Sequence, residues 1–295
     1  MNFIPSKSAV QHSRFFFSFF LMPVYVFAVS QVQSFAYLNA FLIFIIWHCF
    51  IYPASNGYNS YFDKDEGSIA LLEKPPVTDK SLYVFALMLD LVGIILSMFI
   101  GFEFVVAVII YGLLSKMYSH PSIRLKKYSI ISFLVVFIFQ GAFVYWTSYC
   151  ALLQISIFEN WDLSFLTAGL ICSCLVGASY PLTQIYQHKE DADRGDKTLS
   201  IVLGIKGSFV FAGSLFLIAA GLMFYYWDYK NMLINFWIFI LFILPVLIVF
   251  VQWILKVFKN PAEANFKNMS RMTLVSGSMM LLYFLVILIK ERNFD

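Results

Sequence analysis

The chain has 295 residues, 61% of them apolar and only 13% charged, with a mean hydropathy of +0.79, which excludes an ordinary soluble domain. The formal net charge of +3 gives no support to nucleic-acid binding. The four cysteines, Cys49, Cys150, Cys172 and Cys174, all lie inside apolar runs, which excludes a disulfide framework and reads as packing.

A helix crosses the hydrocarbon with roughly 20 apolar residues. Nine runs qualify, at 15–29, 37–58, 82–100, 102–118, 129–152, 164–182, 207–227, 233–256 and 272–289, so the expected fold is all-α, a polytopic membrane protein of about nine transmembrane helices. Phe3, Ile4 and Pro5 precede the first run and no small-residue cleavage pattern follows it, so it is expected to be a retained helix. The second run contains His48 beside Cys49, without a partner pattern for a metal or haem, and leads into YPASNGYNSYFDKDEG at 52–67. Asp90 lies about 12 Å into the third run, where an acid either binds a substrate group or pairs with another helix. The third and fourth runs are divided only by Gly101, Phe102 and Glu103; the fifth carries Gln140, Tyr145 and Trp146. The sixth ends in YPLTQIYQHKEDADRG at 180–195, while Trp161, Trp227 and Tyr229 near run ends read as interfacial anchors.

Of the 20 Lys and Arg residues, only Lys230, Lys290 and Arg292 fall on one side of this arrangement. The richer side is therefore expected to be cytoplasmic, with the N-terminus inside.

The polar segments at 52–67 and 180–195 superpose without a gap. Tyr52, Pro53, Tyr58, Asp63, Asp65 and Gly67 meet Tyr180, Pro181, Tyr186, Asp191, Asp193 and Gly195, and Ser55, Asn56 and Asn59 meet Thr183, Gln184 and Gln187. One domain of two related four-helix halves, about 10–120 and 125–256, followed by a last helix at about 270–290, is the expected organisation. On a continuous helix Asn56, Asn59 and Asp63 form one polar stripe, as do Gln184, Gln187 and Asp191. Amides and carboxylates are hard oxygen ligands suited to Mg²⁺, which binds through one or two carboxylates plus substrate phosphates. A charge run such as Asp63, Lys64, Asp65 and Glu66 is also what a solvated helix end looks like. Paired acidic motifs at a repeat interface also suit a transporter with a coupling-ion site. Motifs at helix ends beside basic loops favour phosphate chemistry over that carrier reading.

With these residues in view, the chain resembles the UbiA-type intramembrane prenyltransferase superfamily over nearly its whole length. Asn59 to Asp63 is similar to the first half of that family's NDxxDxxxD signature, and Gln187 to Asp191 with Gly195 and Thr198 is similar to DxxxDxxxGxxT. YSHPSIRLKK at 118–127 resembles the family's loop after the fourth helix, and LEKPP at 72–76 the segment after the first motif. The chain departs from the pattern at Gly67, Ser60 and Gln187, where the signatures carry Asp.

The resemblance implies transfer of a prenyl group from an allylic polyprenyl diphosphate to a lipophilic acceptor, aromatic or a quinone precursor, in a bilayer such as a bacterial inner membrane. It implies Mg²⁺, two ions bridging to the diphosphate. Asp63 and Asp191 would be the catalytic carboxylates, and Asn59, Asp63, Glu66, Gln187, Glu190 and Asp191 the metal ligands. Asn56, Lys64, Tyr118, Arg124, Lys126, Lys189 and Arg194 would meet the diphosphate, and Asp90 is a candidate contact to the acceptor.

Overall fold

The computed structural model describes residues 4–159 and 161–292. Ten helices account for the architecture of the described residues: α1 (Lys7–Ser30), α2 (Tyr37–Asp63), α3 (Lys80–Ser97), α4 (Phe102–Ser119), α5 (Ser129–Leu153), α6 (Leu163–Gln184), α7 (His188–Asp193), α8 (Leu199–Tyr229), α9 (Ile234–Lys259) and α10 (Phe266–Arg292). All but the short α7 are long and apolar enough to cross a membrane. The all-α expectation holds: the described residues form no strand, only isolated bridges Ile69 to Leu72 and Tyr128 to Lys197.

Local chemistry sets the helix ends. Asp79 caps α3 by accepting from the Ser81 and Leu82 amides at 2.8 and 3.3 Å, and Asp162 caps α6 by accepting from Phe165 at 2.7 Å. The first crossing helix begins eight residues before the apolar run expected at 15 and is broken at Arg14, which takes the left-handed conformation (φ 46°) before a 3₁₀ stretch Phe15–Leu21. The helix expected at 207–227 begins at Leu199 and kinks at Gly204 (φ 68°), a conformation glycine adopts freely. Hydropathy marks where a helix meets lipid, and these extensions lie beyond it.

Two helices widen into π turns. In α2 the turn Ile46–Ile51 ends two residues before Pro53, whose missing amide proton cannot bond the carbonyl four residues back, and the His48 carbonyl accepts from Ser18 Oγ at 2.9 Å. In α5 the turn Phe137–Ala142 is completed from outside, the Ala142 amide donating to Ser173 Oγ at 3.0 Å. A Cβ at Gly141 would lie 2.4 Å from the Ser173 Cα, so only glycine admits this approach of α5 to α6.

Helix α6 packs on α5 and α8, α2 on α3, and α10 on α1 and α9. The centre is aromatic, with Phe27, Trp47, Tyr145, Trp227 and Phe284 all buried. Phe99, Phe102, Leu217 and Trp237 stay exposed on the outer wall, as helices bordering hydrocarbon require. Basic loops gather at one end of the bundle, between α2 and α3, α4 and α5, and α6 and α8. That end is called the basic face below.

Candidate active site

Both copies of the repeated motif reach the basic face and border one cavity of about 320 Å³, lined by every crossing helix except α3. Asn56, Asn59 and Asp63 occupy the last turns of α2 and all line it, so the first stripe forms. The second stripe is split between helices. Helix α6 ends at Gln184, Gln187 leaves helical geometry (φ −103°, ψ 4°), and α7 then carries Asp191. Gln184, Gln187 and Asp191 nevertheless line the same cavity.

The charged end is a network of alternating signs. Lys126 is ion-paired with Asp63, and Arg124 Nη2 lies 3.6 Å from Asp63 Oδ1. Arg124 donates through Nε and Nη2 to the two oxygens of Asp196 at 2.8 and 2.9 Å. Arg194 is paired with Asp65 and donates to Asp191 Oδ1 at 2.7 Å. Burial raises the Asp191 carboxyl above its ordinary value, against the pull of Arg194. Burial also works to raise Asp196, but the Arg124 hydrogen bonds and the Lys126 charge outweigh it and hold the carboxyl below the usual range. The Arg194 guanidinium, opposed by burial, is held protonated by Asp65 and Asp191.

The expected site residues divide into those that border the cavity and those that do not. Asn56, Asn59, Asp63, Tyr118, Lys126, Gln187, Asp191 and Arg194 border it. Asn59 Oδ1 accepts from Ser119 Oγ at 2.5 Å, and the Tyr118 and Tyr180 hydroxyls share a hydrogen bond of 2.8 Å. Lys64, Glu66 and Lys189 are exposed and outside the lining, and Glu190 is outside it as well. Arg124 is set back, its guanidinium committed to Asp196. Asp90 is also outside, ion-paired with Lys116, whose ammonium lies 5.2 Å over the Tyr58 ring; these contacts are those of a helix-pairing acid.

Glu190 explains one departure from the signature. Its Oε1 accepts from the Gly67 amide at 2.7 Å, and a Cβ on residue 67 would lie 2.6 Å from that oxygen. The neighbouring loop thus delivers a carboxylate into the space that a side chain at 67 would occupy. Gln187 Nε2, donating to the Ser68 carbonyl at 3.3 Å, closes the same junction.

Asp65, an acid of the first motif beside the position where the signature Asp is missing, lines the cavity. Two contributors were not singled out from the sequence, and one of them, Asp196, is the buried partner of Arg124. Arg14 lines the cavity through the break in α1, with Nη2 donating to the Asn56 carbonyl at 3.3 Å and Nε buried without a hydrogen-bond partner among the described residues. Its only sequence signal was a cation directly before an apolar run, which reads equally well as topology. Beyond the charged end the lining turns apolar, with Phe17, Val24, Phe139, Leu175 and Phe284, interrupted by Tyr111, Gln140 and Cys172.

The model of the UbiA prenyltransferase family matches residues 19–277. No curated protein sequence matches the chain. Among solved structures, one concerning digeranylgeranylglyceryl phosphate synthase in membranes is similar at 19% identity and a TM-score of 0.60, over 97% of this chain and 98% of that one. A UbiA homologue from Archaeoglobus fulgidus bound to GPP and Mg²⁺ is similar at 14% identity and a TM-score of 0.64, over 96% of this chain and 99% of that one. The same homologue bound to DMAPP and Mg²⁺ gives 14% identity and a TM-score of 0.63 over the same shares. At these identities the structures establish a common fold. The family model covers most of the sequence, and the chain belongs to the UbiA prenyltransferase family.

Proposed function

We propose that this membrane prenyltransferase transfers the prenyl group of an allylic polyprenyl diphosphate to a lipophilic acceptor, an aromatic or quinone-precursor compound, with release of diphosphate. The observation that carries this reading is the polarity profile of the cavity, charged at the basic face and apolar beyond it, which is the profile of the donor itself. Family membership sets the coupling-ion carrier aside. The Archaeoglobus fulgidus homologue solved with GPP, with DMAPP and with Mg²⁺ supports a prenyl diphosphate donor and Mg²⁺ here.

Lys126, Arg194 and Arg14 face the charged end and would take phosphate oxygens, the two guanidinium groups in bidentate fashion. The Tyr118 hydroxyl, held by Tyr180, would orient them. Among the described residues no three His, Cys, Asp or Glu side chains converge on one point. Asp63, Asp65 and Asp191 instead border the cavity one by one, with the Asn59 and Gln187 amides near them in sequence and on the same wall. That donor set fits a hard cation that takes one or two protein carboxylates and completes its shell from phosphate oxygens and water. Two Mg²⁺ ions would be held by Asp63 with Asn59 and by Asp191 with Gln187. When bound, Mg²⁺ neutralises charge developing on the departing diphosphate.

The walls do the rest. Phe17, Tyr111 and Phe139 line the cavity, and an aromatic face turned to an allylic cation would attract it by roughly 0.5–2 kcal/mol. Apolar lining keeps water from quenching it. The excess of Lys and Arg on the loops of the basic face supports a cytoplasmic orientation for it.

Purified protein with Mg²⁺, a panel of allylic diphosphates and candidate acceptors tests the reaction. Diphosphate release with at least one donor and acceptor is expected; no release with any pair, together with no Mg²⁺-dependent donor binding, overturns it. Mass spectrometry of lipid extracts from cells with and without the gene identifies the acceptor.

A further inference from the structure

We propose that Asp196 is a positioning residue for the diphosphate end of the cavity, a buried anionic hub that sets where Lys126 and Arg194 present their charge. The inference rests on the reading that these two side chains receive the donor diphosphate. Asp196 is 2% exposed and does not border the cavity, so it acts through its neighbours and not on the substrate. Its two oxygens accept from Arg124 at 2.8 and 2.9 Å, which locks the carboxylate plane. Lys126 Nζ and Arg194 Nε each lie 3.7 Å from its Oδ2. At that separation the carboxylate attracts both cations without engaging a hydrogen bond from either, so it draws them together and leaves their donors for other acceptors.

Three positive side chains so close together repel one another; Asp63, Asp65 and Asp191 each meet one or two of them, and Asp196 is the acid that lies within 4 Å of all three. The backbone places it at the junction of the two basic loops. The Asp196 amide donates to the Asp191 carbonyl at 2.9 Å, and the Lys197 amide to the Lys127 carbonyl at 3.1 Å. The hub is also not a relic of the duplication. In the repeat register residue 196 pairs with Ser68, whose carbonyl accepts from Gln187 and whose side chain turns away to the Glu73 carbonyl.

The test compares Asp196→Asn, Asp196→Glu, Lys126→Met and Arg194→Gln with the wild type in detergent or nanodiscs. Steady-state kinetics with an allylic diphosphate and calorimetric binding of inorganic diphosphate are both read. Asp196→Asn removes the charge and keeps the shape. It is expected to raise the donor KM and weaken diphosphate binding by about tenfold, the scale of one lost charge-assisted contact, with kcat changed far less. Asp196→Glu, which moves the charge by one methylene without deleting it, is expected to fall between the two and serves as the readout if the amide variant does not fold. Combining Asp196→Asn with Arg124→Gln is expected to cost no more diphosphate affinity than the worse single change, because both act through one hub. Unaltered KM and diphosphate affinity in folded Asp196 variants overturn the hub, provided that Lys126→Met and Arg194→Gln do weaken diphosphate binding. If those two leave it unchanged, the donor-site reading itself fails and the hub falls with it.

Discussion

Asp63 shows how much a single side chain can be asked to do in a membrane. It is buried at the last turn of α2, paired with Lys126, and within 3.6 Å of Arg124, so its charge is compensated from the α4–α5 loop and not from its own helix. Replacing Asp63 or Asp191 by Ala is expected to lower kcat/KM by about 10²–10³-fold or more, the range for losing a group that meets developing charge, with helical content and detergent-solubilised monodispersity retained. Near-wild-type rates in either variant would refute the assignment. Gly67 makes a second residue-scale prediction. A methyl group there meets Glu190 Oε1 at 2.6 Å, the far end of a flexible side chain, so Gly67→Ala is expected to cost about 0.5–1.5 kcal/mol, the worth of the hydrogen bond lost as that carboxylate swings off the amide. Thermal unfolding of Gly67→Ala and of Gly67→Ala with Glu190→Ala checks it: the double variant should lose less than the sum of the two single losses. The stripes Asn56, Asn59, Asp63 and Gln184, Gln187, Asp191 were legible from spacing, whereas Glu66 and Glu190, expected as metal ligands, stand outside the cavity lining. Asp196 and Arg14 were not legible, because their roles depend on which loop packs beside them.

At the scale of elements, breaks place more of the site than regular helix does. Helix α1 turns at Arg14, α6 stops at Gln184, and α8 kinks at Gly204, and the first two bring polar groups to the cavity. Asp90 and Lys116 illustrate the opposite case, a pair that joins α3 to α4 away from the cavity. Asp90→Leu leaves the Lys116 ammonium uncompensated and is expected to cost up to about 3 kcal/mol, while Asp90→Leu with Lys116→Leu restores much of that loss. Thermal melts of the two variants decide, and equal melts would mean that the pair contributes nothing. The segment between α2 and α3 is strapped to α1, with Ser6 Oγ donating to Asp79 Oδ2 at 2.6 Å, Ser8 Oγ to the Val77 carbonyl at 2.8 Å, and His12 Nε2 bonded to the Pro76 carbonyl at 2.7 Å. Hydrogen bonds from Ser6 and Ser81 hold the Asp79 carboxyl below its ordinary value. Because the folded value lies below the unfolded one, this contribution is complete above about pH 4 and is lost as the pH falls through the folded value. The difference in melting temperature between wild type and Asp79→Asn is therefore expected to shrink on acidification; a constant difference would show that the charge is irrelevant.

Every crossing helix but α3 lines one amphiphilic cavity, and its polarity gradient is a property of the assembly. Chelation of divalent ions is expected to abolish turnover reversibly and to weaken donor binding, with the helical circular dichroism unchanged and activity returning on added Mg²⁺. Persistent turnover after chelation would separate this chain from the metal reading. Composition, hydropathy and charge distribution determined the membrane location, the helix number and the basic face, because the bilayer imposes a length and an apolar surface on every crossing segment. The repeat determined that a polar motif would close α2 and that a second would follow from the end of α6, but not that the second would be split onto α7. Tertiary structure alone decided which acids meet the cavity, since Glu66 and Asp65 are neighbours in sequence yet only Asp65 turns inward. It alone gave Arg124 a buried partner in Asp196 and placed Glu190 against Gly67, contacts between residues 72 and 123 positions apart. A pattern along one chain encodes the face a residue occupies, whereas a buried charge is settled by the partners that packing brings within a few ångströms of it.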